Sequence, residues 1–202
     1  MYYSIKRISN SDLQIAKHLI MGIPLRKPKN AFHFGRALHE AILEPEKFSI
    51  HNYSGVNKKL LNRCIETVQQ SEECLHLIEG SREQEVYWTD FYTKVECKSK
   101  LDIYKKGMVI DIKTTRARTQ QEFEQCIQNY EYDRQMAFYA DSVGAEQIVL
   151  IGISKTTNAI FRFQAGNRSD FLTIGRAKYR YILLKIKQLN LFDQIWQRRE
   201  NT

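Results

Sequence analysis

Apolar residues recur at Leu13, Ile15, Ala16, Leu19 and Ile20 behind Ser9-Asn10-Ser11, where either hydroxyl can cap, and this spacing predicts a first helix. Pro24 and Pro28 make 22–29 a loop, and the 3.6-residue period returns over 31–43 until Glu44-Pro45 blocks it. Leu60, Leu61, Cys64, Ile65, Val68, Leu75 and Ile78 predict one helix over 57–78. The period then shortens. Residues 85–90, 95–104 and 108–114 carry β-branched and aromatic side chains at strand length, and Lys105-Lys106-Gly107 offers the glycine a tight hairpin needs. One helix is predicted over 122–142, a buried strand over 147–154, a short strand over 159–164 and a long helix over 170–196. Helices, three strands, a helix, two strands and a helix describe an α/β domain with a mixed sheet.

Composition narrows this picture. At 202 residues, 43% hydrophobic and 27% charged, the chain fits one globular domain over 1–202. The longest apolar run, 148–153, is too short for a bilayer, and Lys6 and Arg7 precede no apolar signal segment. A cytoplasmic protein with no membrane partner is the expectation. Cys64, Cys74, Cys97 and Cys126 include no Cys-x-x-Cys pair, so reduced thiols are expected. The net charge of +8 is unevenly placed: residues 1–30 carry +5, residues 171–202 another +5, and the middle −2. A slightly acidic centre between basic ends suits a carboxylate metal site flanked by phosphate-holding surfaces, although solvated helices would give the same totals.

Four local patterns offer chemistry. Asp111 and Lys113 lie two apart on a predicted strand and so share a face, where a carboxylate can hold a hard cation and an ammonium can orient water or neutralise phosphate. An ordinary surface ion pair reads the same way. Asp102 lies across the predicted hairpin, close to Asp111, and two carboxylates beside an apolar core around Ile103 and Ile110 call for a shared metal. The other reading of Asp102 is a surface acid near a turn. Gln135 and Tyr139 share a helix face, with Arg134 adjacent and Tyr130 and Tyr132 before them, a group suited to positioning a phosphate backbone or simply a half-buried helix face. His39 follows Gly35 by four on a helix that small residues allow to pack closely; a structural histidine is the plainer alternative there.

In chain order, Gly-x3-His, Asp102, Asp111-Ile112-Lys113 and Gln135-x3-Tyr139 resemble the PD-(D/E)XK nuclease superfamily, and within it the RecE-type exonuclease VIII catalytic domain. Ile8-Ser9-Asn10-Ser11-Asp12-Leu13 is similar to that family's opening helix. Phe34-Gly35-Arg36-Ala37-Leu38-His39, with Leu43-Glu44-Pro45-Glu46-Lys47-Phe48, resembles its Gly-x3-His and Leu-Glu-Pro segment. Glu83 to Trp88, Lys100-Leu101-Asp102 and Asp111-Ile112-Lys113-Thr114-Thr115 resemble its central sheet, Tyr132-Asp133-Arg134-Gln135-Met136-Ala137-Phe138-Tyr139 resembles its Tyr-x-x-Gln-x3-Tyr helix, and the likeness spans about residues 8–155.

The resemblance implies a restriction-endonuclease-like α/β core with a mixed central sheet flanked by helices. His39, Asp102, Asp111 and the Ile112 carbonyl would be metal ligands, Lys113 would hold the nucleophilic water, and Gln135 and Tyr139 would position the scissile strand. The cofactor implied is Mg2+, with Mn2+ as a substitute. The implied activity is metal-dependent 5′→3′ exonucleolytic hydrolysis of double-stranded DNA from a free end, in recombination or prophage DNA processing. A single-strand annealing recombinase would be its partner, and a homo-oligomeric ring its assembly. An endonuclease on the same fold and a DNA-binding module without turnover stay open. Two departures stand out: Ile112 occupies a position where many superfamily members carry an acid, as the RecE type also departs, and 48–57 is short beside relatives with a longer basic insertion. Iron–sulfur nucleases on this core bracket it with four cysteines, a pattern Cys64, Cys74, Cys97 and Cys126 do not fit.

Overall fold

The computed structural model describes residues 2–24 and 29–200. Ser9 caps helix α1 (Asn10–Met21) in a capping box, its hydroxyl accepting from Asp12 N–H while the Asp12 carboxylate accepts from Ser9 N–H. The loop expected over 22–29 falls largely on 25–28, outside the described residues, and helix α2 (Lys29–Leu43) begins earlier than its apolar pattern indicated. The single helix expected over 57–78 is two, α3 (Lys58–Gln69) and α4 (Glu72–Ile78), because the Ser71 hydroxyl accepts from Cys74 N–H and starts a new helix.

Strands β1 (Ser81–Thr89), β2 (Glu96–Lys105) and β3 (Met108–Thr115) form an antiparallel meander. Lys106 and Gly107 join β2 to β3 with φ of 47° and 76°, the left-handed pair of a two-residue turn whose twist matches the strands. Here too the predicted helix over 122–142 is two, α5 (Gln120–Asn129) and α6 (Tyr132–Val143), broken at Glu131, whose φ is 53°. Strand β4 (Gln147–Ser154) returns parallel to β3, and β5 (Ile160–Gly166) lies antiparallel to it, giving one sheet in the order β1-β2-β3-β4-β5. The last helix is also divided, into α7 (Asp170–Gln188) and α8 (Phe192–Glu200), with Asn190 at φ 48° between them.

The sheet is covered on both faces, as its parallel β3–β4 pair requires. Residues of α1, α5, α6, α7 and α8 bury Leu13, Phe123, Phe138, Tyr179 and Ile195 in one core with Leu101, Val109 and Leu150 of the sheet. Leu38, Leu61, Cys64 and Leu77 of α2, α3 and α4 form the second core with Ile103, Ile110 and Ile112. Alternation along β3 therefore sends Ile110 and Ile112 to one layer and Val109 to the other. Tight crossing of α6 and α7 depends on Gly175: a Cβ there would lie 2.1 Å from the Asp133 carbonyl oxygen. No helix among the described residues is long and apolar enough to cross a membrane.

The sheet is irregular between its second and third strands. The β2–β3 ladder runs only from Lys105↔Met108 to Ile103↔Ile110. The earlier part of β2 turns instead to the N-terminal segment, where Ile8 N–H donates to Glu96 O at 3.0 Å and Lys98 N–H to Ile8 O at 2.8 Å. Backbone groups at a split of this kind need other partners.

Candidate metal and catalytic site

A side chain fills the split. Oδ2 of Asp102 accepts from Ile112 N–H at 2.9 Å, so a carboxylate takes the place of a ladder carbonyl and is locked against β3. From the α2 layer, His39 reaches the same point: its Nε2 donates to Ile112 O at 2.5 Å and its Nδ1 lies 3.4 Å from Asp102 Oδ2. Burial alone would lower the His39 pKa, but the Asp102 charge and contact outweigh it and raise it to about 9. An imidazolium bridges a carboxylate and a carbonyl here. Gly35, one turn earlier, sits over β3, although a Cβ would meet only Thr114 Oγ1 at 3.9 Å, so the close packing expected of this glycine is not obligatory.

On the other side of the split, Asp111 is 1% exposed. Gln135 donates to its Oδ1 at 3.2 Å from α6, and the Gln135 amide also lies 3.3 Å from the Tyr139 hydroxyl, so the predicted face is real. Oδ2 of Asp111 pairs with the Lys113 ammonium, 2.5 Å from its Nζ. Burial raises the Asp111 pKa to about 6, with Asp102 adding to the effect and Lys113 opposing it. For Asp102, burial is outweighed by His39, Lys113 and the Ile112 N–H, and its pKa is lowered. Lys113 shows the opposite balance to burial: Asp111 and Asp102 overcome desolvation and hold it protonated. Its ammonium also lies 5.0 Å from the Tyr132 ring centre.

Seven sequence-predicted positions, His39, Asp102, Asp111, Ile112, Lys113, Gln135 and Tyr139, thus converge from two helices and two strands. Arg134 does not join them. It is buried against α1, donating to the Asn10 side chain at 2.9 Å and to Gln14 at 2.9 Å, and it braces α6 rather than facing a phosphate. Tyr130 stacks on Tyr132 at 5.8 Å and is itself exposed. Glu83 opens the 83–88 stretch of the resemblance, which gives it no site role; its carboxylate lies with a His39 ring nitrogen and an Asp102 oxygen in a group spanning no more than 4.8 Å. Strand periodicity does not distinguish it from its polar neighbours on β1.

The donor set suits a hard divalent ion: carboxylate oxygens, one carbonyl and one imidazole. A separate cleft of about 600 Å³ between the β1–β2 turn and α7 is lined by Arg176 and Arg180. Both arginines already bind Asp141, and Arg180 also reaches Asp90, so that cleft is braced internally.

A mixed sheet whose second and third strands part around an Asp and an Asp-x-Lys, with helices on both faces, defines the PDDEXK-like class of α/β fold. The chain belongs to the family described as a PDDEXK-like domain of unknown function (DUF3799), whose profile matches residues 4–191. Among solved structures it is similar to a putative exonuclease from Eubacterium rectale, with 13% identity, a TM-score of 0.66, and coverage of 94% of this chain and 82% of that one. It is also similar to a phage-related exonuclease from Haemophilus somnus 129PT, with 13% identity, a TM-score of 0.51, and coverage of 93% and 82%. At these identities the likeness is one of fold. No match is found among curated protein sequences.

Proposed function

We propose that this chain is a divalent-metal-dependent deoxyribonuclease of the RecE type, a single nuclease domain that digests one strand of duplex DNA from a free end in the 5′→3′ direction. The observation that carries this reading is the insertion of Asp102 into the β2–β3 split beside Asp111, Ile112 O and Lys113. His39, Asp102, Asp111 and the Ile112 carbonyl would hold Mg2+, or Mn2+ in its place. Such an ion, when bound, polarises the scissile phosphate and lowers the pKa of water.

The protein's own groups supply the rest. Lys113 keeps its proton despite burial, so it acts as a fixed cation that holds water or offsets charge growing on phosphate. The Gln135 amide nitrogen donates to one oxygen of the Asp111 carboxylate and also to the Tyr139 hydroxyl, which burial keeps neutral. Both lie where they can orient the strand to be cut. End-dependent cutting agrees with the description of both similar structures as exonucleases. A cytoplasmic setting in recombination or prophage DNA processing, an annealing recombinase partner and a ring-shaped homo-oligomer complete the proposal.

The test is digestion of end-labelled linear duplex beside a covalently closed circle, with Mg2+ or EDTA, using wild type, Asp111→Ala and Lys113→Ala. Loss of the linear DNA alone, metal-dependent and reduced by about 10²–10³ or more in both variants, is expected, and release from a 5′ label fixes the polarity. Cutting of the circle would replace this reading with an endonuclease. Bound but uncut DNA would replace it with a binding module.

A further inference from the structure

At the carboxyl ends of the parallel strands β3 and β4, cations from three parts of the chain meet beside the site. The two strands stay joined as far as Lys155, whose N–H donates to Thr115 O at 2.9 Å. The Lys155 ammonium lies 5.1 Å from the ring centre of Phe34, on the stretch of α2 that leads through Gly35 to His39. From α3, the Arg63 guanidinium donates to Lys155 O at 3.0 Å. Arg116 follows the end of β3, its carbonyl accepting from the Thr156 hydroxyl at 3.3 Å. Arg63 and Arg116 are exposed and Lys155 is half-buried. Burial lowers the Lys155 pKa and the neighbouring Arg116 charge lowers it further, as expected of like charges held together.

Elsewhere the protein matches its cations to its own acids, as in Arg7 with Glu96, Lys17 with Glu131 and Arg176 with Asp141. Among the described residues, none of Arg63, Arg116 and Lys155 forms an ion pair with a carboxylate. Such a group repels itself until an anion offsets it. Exposed guanidinium groups on separate elements suit an anion whose charges recur along its length, rather than a small one that needs an enclosed set of donors. The spacing agrees with a nucleic-acid strand. Arg116 follows Lys113 by three residues, about 10 Å along an extended chain, and one strand of duplex DNA places about three phosphates in that length.

We propose that Arg63, Arg116 and Lys155 grip the phosphate backbone of the DNA, a few nucleotides along from the phosphate that is cut. This rests on the nuclease reading above and adds to it three residues outside the metal, Lys113 and Gln135–Tyr139 positions. They bind and position the substrate and take no part in bond cleavage, so they set affinity and its salt dependence rather than turnover.

The experiment is fluorescence anisotropy of a labelled linear duplex in EDTA across a salt series, using the full chain with Asp111→Ala to silence cutting. To that background are added Arg63→Gln, Arg116→Gln and Lys155→Gln, singly and together, and Arg7→Gln as a control on a cation that already has an acid partner, each checked for folding by circular dichroism. Each single change in the patch is expected to lower the slope of log affinity against log salt by about one, and the three together by about three. Arg7→Gln is expected to leave the slope unchanged, and Arg116→Lys, which keeps the charge, to retain it. With Asp111 intact and Mg2+ present, the triple change is expected to raise KM for linear duplex about tenfold while kcat stays within about twofold. An unaltered slope and KM in the triple variant, with metal-dependent cutting retained, would overturn the assignment, give the patch to another acidic partner and leave the nuclease reading intact. An equal loss of slope in Arg7→Gln would also overturn it, because the effect would then belong to net charge. Failure of the unsubstituted chain to bind or cut DNA would remove the nuclease reading and this inference together. Should the triple variant not fold, Arg116→Gln, at an exposed side chain, decides by the same slope.

Discussion

Buried acids in this protein are handled in two ways. Those at the β2–β3 split are crowded together against cations, whereas Asp90 is surrounded by donors. Its Oδ2 accepts from Thr93 N–H at 2.7 Å and from the Thr93 hydroxyl at 2.8 Å, and its Oδ1 from the Tyr179 hydroxyl at 3.1 Å, with Arg180 at 3.4 Å. Burial opposes ionisation, but these partners outweigh it and lower the Asp90 pKa below 3.8. A carboxylate whose native pKa is depressed stabilises the fold above its unfolded pKa, and that contribution is lost as pH falls through the native value. Asp90→Asn is therefore expected to cost about 1.5–3 kcal/mol at pH 7, with the gap to wild type shrinking on going from about pH 4 downward. Urea unfolding of both proteins at pH 7 and at low pH checks this; an equal gap at both would show that the charge is not the cause. The sequence contains Asp90 and Tyr179 in plain sight, but nothing local joins residues 89 positions apart, so this contact was illegible in it. Asp111 and Lys113 were legible because a strand's period of two dictates that they share a face.

At the level of elements, apolar periodicity located nearly every helix and strand, and it failed at the joints. Three predicted helices are each divided in two, at Ser71, at Glu131 and at Asn190. Glu131 and Asn190 adopt positive φ, which sequence pattern does not forbid because the flanking apolar residues keep a helical rhythm on both sides. Glu131 is held there by Lys17 of α1 at 2.9 Å, a tertiary partner, and by Arg134 three residues on. Gly175 illustrates the converse. In sequence it is a helix-weakening residue within α7; in the fold it is what lets α7 lie on α6 at the Asp133 carbonyl. Gly175→Ala should raise intrinsic helix propensity and still destabilise the protein by about 1–3 kcal/mol through overpacking. Thermal denaturation followed by circular dichroism reads this as a lower midpoint. An unchanged or higher midpoint would mean that α6 and α7 separate at little cost.

Across the whole molecule, charge and topology decide different things. The basic ends looked from composition like two phosphate-holding surfaces, but many of their cations are already engaged. Arg7 binds Glu96, Lys17 binds Glu131, Lys178 binds Asp133, and Arg176 and Arg180 share Asp141. Pairing with acids from the middle of the chain leaves fewer free cations at each end than +5 implies, and the salt dependence should be correspondingly modest. For about four phosphate contacts, affinity for linear duplex should fall roughly a hundredfold between about 50 and 200 mM salt. Fluorescence anisotropy with a catalytically silent Asp111→Ala chain measures this, and a flat response would place DNA binding on uncharged contacts.

The sequence by itself determined the element types, the α/β class and the order of the site residues, because hydrophobic period, caps and turn glycines act over a few residues and leave a direct imprint on the chain. It also marked His39, Asp102, Asp111, Ile112, Lys113, Gln135 and Tyr139, through their joint order rather than through any one of them. Only the tertiary structure decided which of the neighbouring polar residues belong with them. Arg134 left the group because α1 offers it buried partners, and Glu83 joined it because a left-handed residue on β1 carries a carboxylate to the point where β2 and β3 part. Both outcomes depend on contacts across long sequence separations, where the energy of burying a charge selects its partner and no local pattern records the choice.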